Sequence, residues 1–66
     1  MSEYTVLAGE LVSLATIARL NGDDETANGL LREAADLYHA AGEDGEAQAC
    51  RMLIVTDDII KPEKEI

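Results

Sequence analysis

The chain has 66 residues, a formal net charge of −9 and neither Trp nor Phe, so it can form one small domain with a modest apolar core. The acidic balance excludes binding to nucleic acid or to anionic membranes, because both need clustered Lys and Arg and the five basic residues here are scattered. One cysteine, Cys50, excludes an internal disulfide and a zinc site, and it fits a cytoplasmic location.

The first predicted helix covers residues 3–21, with Ser2 as its N-cap and Gly22 as its C-terminal stop. One apolar stripe recurs at spacings of four, three and four: Leu7, Leu11, Leu14 and Ala18. We expect this stripe to face the core. A second apolar strip lies on the other flank of the helix: Val6, Ile17 and Leu20. A helix that is apolar over so much of its circumference is either central or shared with a second molecule.

The second predicted helix covers residues 24–41 and opens with Asp23 as its N-cap. It is amphipathic, with a polar face opposite a continuous apolar stripe: Ala27, Leu30, Leu31, Ala34, Leu37, Tyr38 and Ala41. Short turns on both sides place this helix at the centre of the molecule.

The third predicted helix covers residues 45–60, and its inward stripe is Ala47, Cys50 and Ile54. Pro62 ends it, which leaves residues 62–66 as a charged tail to a single domain of residues 1–61. Further apolar side chains exceed what one stripe can bury: Met52, Leu53, Val55, Ile59 and Ile60. A kink near Thr56 could fold some of them inside; an interface with another molecule is the interpretation we favour.

The two turns repeat one pattern with an offset of twenty residues. Around the second turn, the pattern consists of Leu31, Ala35, Tyr38, Gly42 and Ala47. This spacing resembles that of a tetratricopeptide-type helical hairpin. An earlier frame fits through Leu11, Ala15, Gly22, Ala27, Leu31 and Ala34. The resemblance covers about one and a half hairpins and implies helical-hairpin packing. The family also grips peptide carboxylates with basic residues, and those residues are missing here.

Other candidate sites have simpler structural explanations. The acidic segments after Gly22 and Gly42 are shorter than a twelve-residue calcium loop, and acidic residues are favoured at helix N-termini. Asp36 and His39 have the spacing of a di-iron ligand pair, but the motif occurs once and His39 lies on the polar face. Cys50 lies on the inward stripe among acids, which suits a buried thiol. We therefore expect no metal, no cofactor and no enzymatic activity.

These observations predict an all-α fold of three antiparallel helices, packed as a short helical-hairpin stack and completed by dimerisation. The function expected is that of a small acidic protein–protein interaction module, an adaptor or regulator, whose partner is another protein. The acidic surface indicates either a basic partner or a role in solubility alone. The alternative is an acidic inhibitor or nucleic-acid-mimicking decoy that blocks a basic groove on an enzyme. The hypothetical interface consists of the surplus apolar residues: Val6, Ile17, Leu20, Met52, Leu53, Val55, Ile59 and Ile60.

Overall fold

Three helices make up the protein over residues 2–54, the part of the chain that the computed structural model describes. They are α1 (Glu3–Leu20), α2 (Asp24–Ala40) and α3 (Asp44–Leu53), and no strand occurs within residues 2–54. The all-α fold expected from the helical periodicity is confirmed. Since α2 packs against both α1 and α3, it is the shared element of two helical hairpins.

The helix boundaries follow the local start and stop signals. The Ser2 hydroxyl accepts a hydrogen bond from the Thr5 backbone N–H at 3.2 Å, which caps α1 as expected. At the other end of the chain, α3 stops at Leu53 and Ile54 has extended backbone (φ −73°, ψ 129°). The expected continuation of α3 over residues 55–60, like the charged tail 62–66, lies outside the described residues.

The turn between α1 and α2 is a helix-terminating glycine motif. Gly22 has φ +84°, a left-handed conformation that a side chain would strain. The N–H groups of Gly22 and Asp23 donate to the carbonyls of Arg19 and Ala18, at 3.0 and 2.9 Å. These two bonds satisfy carbonyl groups that the end of the helix would otherwise leave unpaired.

The turn between α2 and α3 has the same backbone. Gly42 has φ +81°, and the N–H groups of Gly42 and Glu43 donate to the carbonyls of His39 and Tyr38, at 2.9 and 2.8 Å. The repeat seen in the sequence is therefore a repeat of turn geometry. Each turn lets the residue after the glycine serve as the N-cap position of the next helix.

The core is built mainly from alanine, and this corrects the expected packing of α1. Leu7 and Leu14, predicted to point inward, are 48% and 51% exposed, while Ala8 and Ala15 are buried. Helix axes approach most closely where both helices present small side chains, so α1 packs through its alanine face. The buried set is Ala8, Ala15, Ala27, Leu31, Ala34, Ala35, Ala47 and Cys50.

The inward faces of α2 and α3 agree better with expectation. Ala27, Leu31 and Ala34 of the predicted α2 stripe are buried, and its remaining large members are half-buried against the core: Leu30, Leu37 and Tyr38. In α3, Ala47 and Cys50 are buried and Ile54 packs beside them. Leu31 is the largest side chain of the buried set, so the core contributes little apolar area per residue.

Candidate interaction surfaces

One groove lies where the ends of α1 and α3 meet. Leu20 is 81% exposed and Leu53 is 55% exposed, and both line this groove, which encloses about 220 Å³. Its floor is formed by the buried side chains of Ala15 and Leu31. The described residues that line it are Ala15, Thr16, Arg19, Leu20, Leu31 and Leu53. We call this the leucine groove. Two residues of the predicted interface, from separate helices, are thus brought onto one apolar surface.

Arg19 holds the edges of the leucine groove together. Its guanidinium donates to the Asp24 carboxylate at 3.0 Å, to the Asn28 side-chain oxygen at 3.2 Å and to the Leu53 carbonyl at 2.8 Å. The last bond satisfies a carbonyl at the end of α3, where a cation is also favoured by the helix dipole. No role for Arg19 could be predicted from the sequence, because these contacts depend on how the helices pack.

The other predicted interface residues within the described range 2–54 do not line this groove. Val6, Ile17 and Met52 are exposed on the surfaces of α1 and α3, as an interface would require, but the groove does not include them. Val55, Ile59 and Ile60 lie outside the described residues. The predicted interface is therefore represented in the structure by one two-residue cluster and three separate exposed side chains.

A second groove of about 290 Å³ lies on the other side of α1, between α1 and α2. Leu11 and Leu37, both half-buried, contribute its apolar surface, and Glu33 and Asp36 contribute its acidic side. We call it the acidic groove. Sequence reasoning missed it because Leu11 was placed in the core and the two acids were assigned to a solvated helix face. The exposed leucines of α1, Leu7 and Leu14, lie four residues before and three after Leu11, so the apolar stripe continues along the helix.

Two of the acids that follow Gly22, Asp23 and Asp24, are bonded within the protein. Asp23 accepts a hydrogen bond from the Thr26 backbone N–H at 3.2 Å, as the expected N-cap of α2. Hydrogen bonding from the Thr26 side chain and backbone lowers the pKa of Asp23. Asp24 forms the ion pair with Arg19 described above. Helix capping therefore accounts for Asp23, as the sequence predicted, and the ion pair with Arg19 accounts for Asp24.

The acids of the second turn also have partners. The Thr5 hydroxyl donates to the Glu43 carboxylate at 3.1 Å, and Asp44 lies 2.8 Å from a ring nitrogen of His39. The Thr5–Glu43 bond joins the start of α1 to the start of α3, just as Arg19 joins their ends. Consecutive antiparallel helices would produce this pairing; the antiparallel order itself stays a prediction.

Chemically reactive groups are few in the described chain. Among residues 2–54 no three His, Cys, Asp or Glu side chains come together as a metal site would require. Cys50 is buried, and burial followed by the charge of Glu46 raises the pKa of its thiol, which disfavours the nucleophilic thiolate. Burial also raises the pKa of Tyr38. None of the helices that the structure describes has the length and hydrophobicity needed to cross a bilayer.

Comparison of the chain with protein-family models, with curated proteins and with solved structures found no significant match in any of the three. The tetratricopeptide resemblance therefore stays a prediction that the residues of the two turns carry. The two grooves and the charges around them are the features of the described chain that bear on its function.

Proposed function

We propose that this protein is a small acidic protein–protein interaction module, an adaptor or regulator, that docks through apolar helix faces and has no enzymatic activity. The observation that carries the proposal is the leucine groove, where the exposed side chains of Leu20 and Leu53 flank a buried floor of Ala15 and Leu31. Apolar surface gathered from two helices at one place is typical of a contact site.

The first partner of this groove in our proposal is a second copy of the chain. Within residues 2–54 the core consists of alanine, one leucine and one cysteine, whereas large side chains such as Leu20 and Leu53 lie outside it. A chain of this length usually has only about 3–5 kcal/mol of stability from its own core. A two-fold pair that joined the two leucine grooves would bury apolar area at roughly 25 cal/mol per Å² and add to that stability.

The bonded state of the turn acids favours this module over an acidic decoy. A decoy must present unoccupied carboxylates to a basic groove. Asp23, Asp24, Glu43 and Asp44 each accept a hydrogen bond or form an ion pair within the protein. Helix capping and tertiary contacts use these groups, so four of the six carboxylates in residues 23–25 and 43–46 are not free for mimicry of a phosphate backbone.

Sedimentation velocity and thermal melting over a wide concentration range test the proposal. We expect a dimer at micromolar to millimolar concentration and a Tm that rises with concentration, because association stabilises the folded state by mass action. Leu20→Glu and Leu53→Glu should each give a monomer whose Tm no longer depends on concentration. Leu7→Glu is the matched control, since Leu7 is a half-exposed leucine of α1 outside this groove, and it should leave the dimer intact.

Two results would contradict the proposed pairing. One is a wild-type protein that stays monomeric throughout the concentration range. The other is a dimer that Leu7→Glu disrupts as strongly as Leu20→Glu does, because the contact would then not be located at the leucine groove.

A further inference from the structure

The acidic groove has a composition that distinguishes it from the leucine groove. Its lining is Leu11, Glu33, Asp36 and Leu37, so half-buried leucines and exposed carboxylates lie side by side. Residues 33 and 37 are one helical turn apart on α2, as are residues 33 and 36, which places apolar and acidic groups on adjoining faces of one helix. Among residues 2–54, no basic side chain lines this groove.

The two carboxylates of this groove have no bonding partner within residues 2–54. Neither Glu33 nor Asp36 forms a hydrogen bond or an ion pair with another residue of the range 2–54. The four turn acids differ from them in this respect, because each is used in capping or in a tertiary contact. Unpaired acids beside apolar surface are complementary to a partner that carries cations beside apolar side chains.

We propose that the acidic groove binds an amphipathic helix of another protein, with aliphatic side chains directed at Leu11 and Leu37 and a Lys or Arg directed at Glu33 and Asp36. A helix that lies in an apolar groove is a common mode of peptide recognition. At about 290 Å³ the groove is below the usual range of buried ligand sites, about 300–1,000 Å³, and accommodates one or two side chains. The half-exposed side chains of Leu7 and Leu14 extend the apolar surface along α1 for the rest of such a helix.

Charge decides between this occupant and a second copy. A two-fold pair through the acidic groove would bring Glu33 and Asp36 of each copy towards the same acids of the other, and the chain carries a net charge of −9. Like charges across an interface disfavour it. The same charge disfavours nucleic acid and anionic membranes. This surface is distinct from the leucine groove, so the protein could pair through one face and bind its partner through the other.

The probe for the test is a synthetic amphipathic helix with Leu at positions i, i+3, i+4 and i+7 and Lys along both borders of that stripe. Its reference is the same peptide with Gln in place of every Lys. Fluorescence anisotropy at two salt concentrations should show tighter binding of the Lys peptide, and added salt should weaken its binding. Equal affinity of the two peptides would overturn the proposal.

Variants of the groove locate the binding site. Glu33→Gln and Asp36→Asn should each weaken binding of the Lys peptide about two- to fivefold, as expected for an exposed ion pair. Glu25→Gln is the control, because Glu25 is an exposed acid of α2 outside the groove, and it should have little effect. Equal losses in all three variants would show only general attraction to an acidic protein and would overturn the assignment to this groove.

Charge reversal and mapping complete the test. The double variant Glu33→Lys with Asp36→Lys should reject the Lys peptide and prefer a peptide with Glu along the borders. Because both side chains are exposed, circular dichroism should show an unchanged fold in every variant. Amide chemical-shift changes on binding should lie around Leu11 and Leu37; changes confined to Leu20 and Leu53 would overturn the proposal. A dimer that these charge variants abolish would assign the groove to a second copy instead.

Discussion

The turn after α1 and the turn after α2 have the same backbone but use their side chains differently. In each, a glycine takes a left-handed conformation and the following residue occupies the N-cap position of the next helix. Asp23 caps α2 through its own side chain, whereas Glu43 makes no such bond and instead accepts a hydrogen bond from Thr5 of α1. Local chemistry fixes the backbone of both turns, and tertiary neighbours decide what the acid does.

The two turns also differ in the residue that pairs with the first acid of the following helix, which lies five positions before that acid. Arg19 pairs with Asp24, and His39 occupies the equivalent position with Asp44. The long guanidinium also reaches Asn28 and Leu53, so the first turn ties three helices together, while the shorter imidazole makes a local contact. An arginine is also charged at any physiological pH, whereas His39 forms an ion pair only when protonated.

The largest expected effect breaks both hairpins at once. Leu31 is 3% exposed on the shared helix and borders both Arg19 of α1 and Leu53 of α3. Leu31→Ala should cost about 2–5 kcal/mol, comparable to the whole stability of a domain of this size, and leave the chain unfolded at low concentration. Leu37→Ala, which removes a half-buried side chain beside α1, should cost less. Thermal melting followed by circular dichroism measures the stability losses of the two variants. A Leu31→Ala variant that melts like the wild type would contradict the core described here.

Replacing the turn glycines tests whether the two turns are equivalent. Gly22→Ala and Gly42→Ala should each cost about 1–2 kcal/mol, because a left-handed residue with a side chain is strained. A Cβ atom at either position would meet no atom of the described residues within 4 Å, so the backbone conformation sets the cost. Gly29→Ala is the control inside α2: it has open space and should gain about 1 kcal/mol. Chemical denaturation measures all three, and clearly unequal losses in the turns would break the comparison.

Double-mutant cycles with Thr5 should distinguish the two acids that follow these glycines, Asp23 and Glu43. Asp23→Ala removes an N-cap, so its loss of stability should not depend on the side chain at residue 5. Glu43→Ala removes the acceptor of the Thr5 hydroxyl, so a second change, Thr5→Val, should add little to it. Denaturation of the single and double variants gives the coupling. Coupling of Thr5 to Asp23 as strong as its coupling to Glu43 would contradict the hydrogen bonds described here.

The smallest effect concerns pH. Hydrogen bonds from Thr26 lower the pKa of Asp23 in the folded state, so the carboxylate adds stability above its unfolded pKa of about 3.9 and loses it as the pH falls through the folded value. Asp23→Asn keeps a side chain that can cap the helix but has no carboxyl group to titrate. The stability advantage of the wild type over this variant should shrink below about pH 4. An advantage that stays constant on acidification would contradict the lowered pKa.

The sequence was a better guide to helix ends than to helix faces. Ser2, Asp23 and Gly22 were assignable because a cap or a left-handed turn depends on a few neighbouring atoms. The inward face of α1 was misassigned because apolar periodicity favours the leucines, and Leu7 and Leu14 are half exposed. The missed signal was the seven-residue spacing of Ala8 and Ala15, which Ala27 and Ala34 repeat on the facing helix.

The sequence by itself determined three helices, two identical turns and a shared central helix, since propensity, capping and glycine conformation act over a few residues. It also indicated that apolar side chains exceed what the bundle can bury. Only the tertiary structure decided which of them meet: Leu20 and Leu53 are far apart in the chain and share a groove because Arg19 joins the ends of their helices. The packing of α1 through alanine likewise placed Leu11 beside Leu37 and the neighbouring acids of α2, an arrangement across two helices that no local pattern encodes.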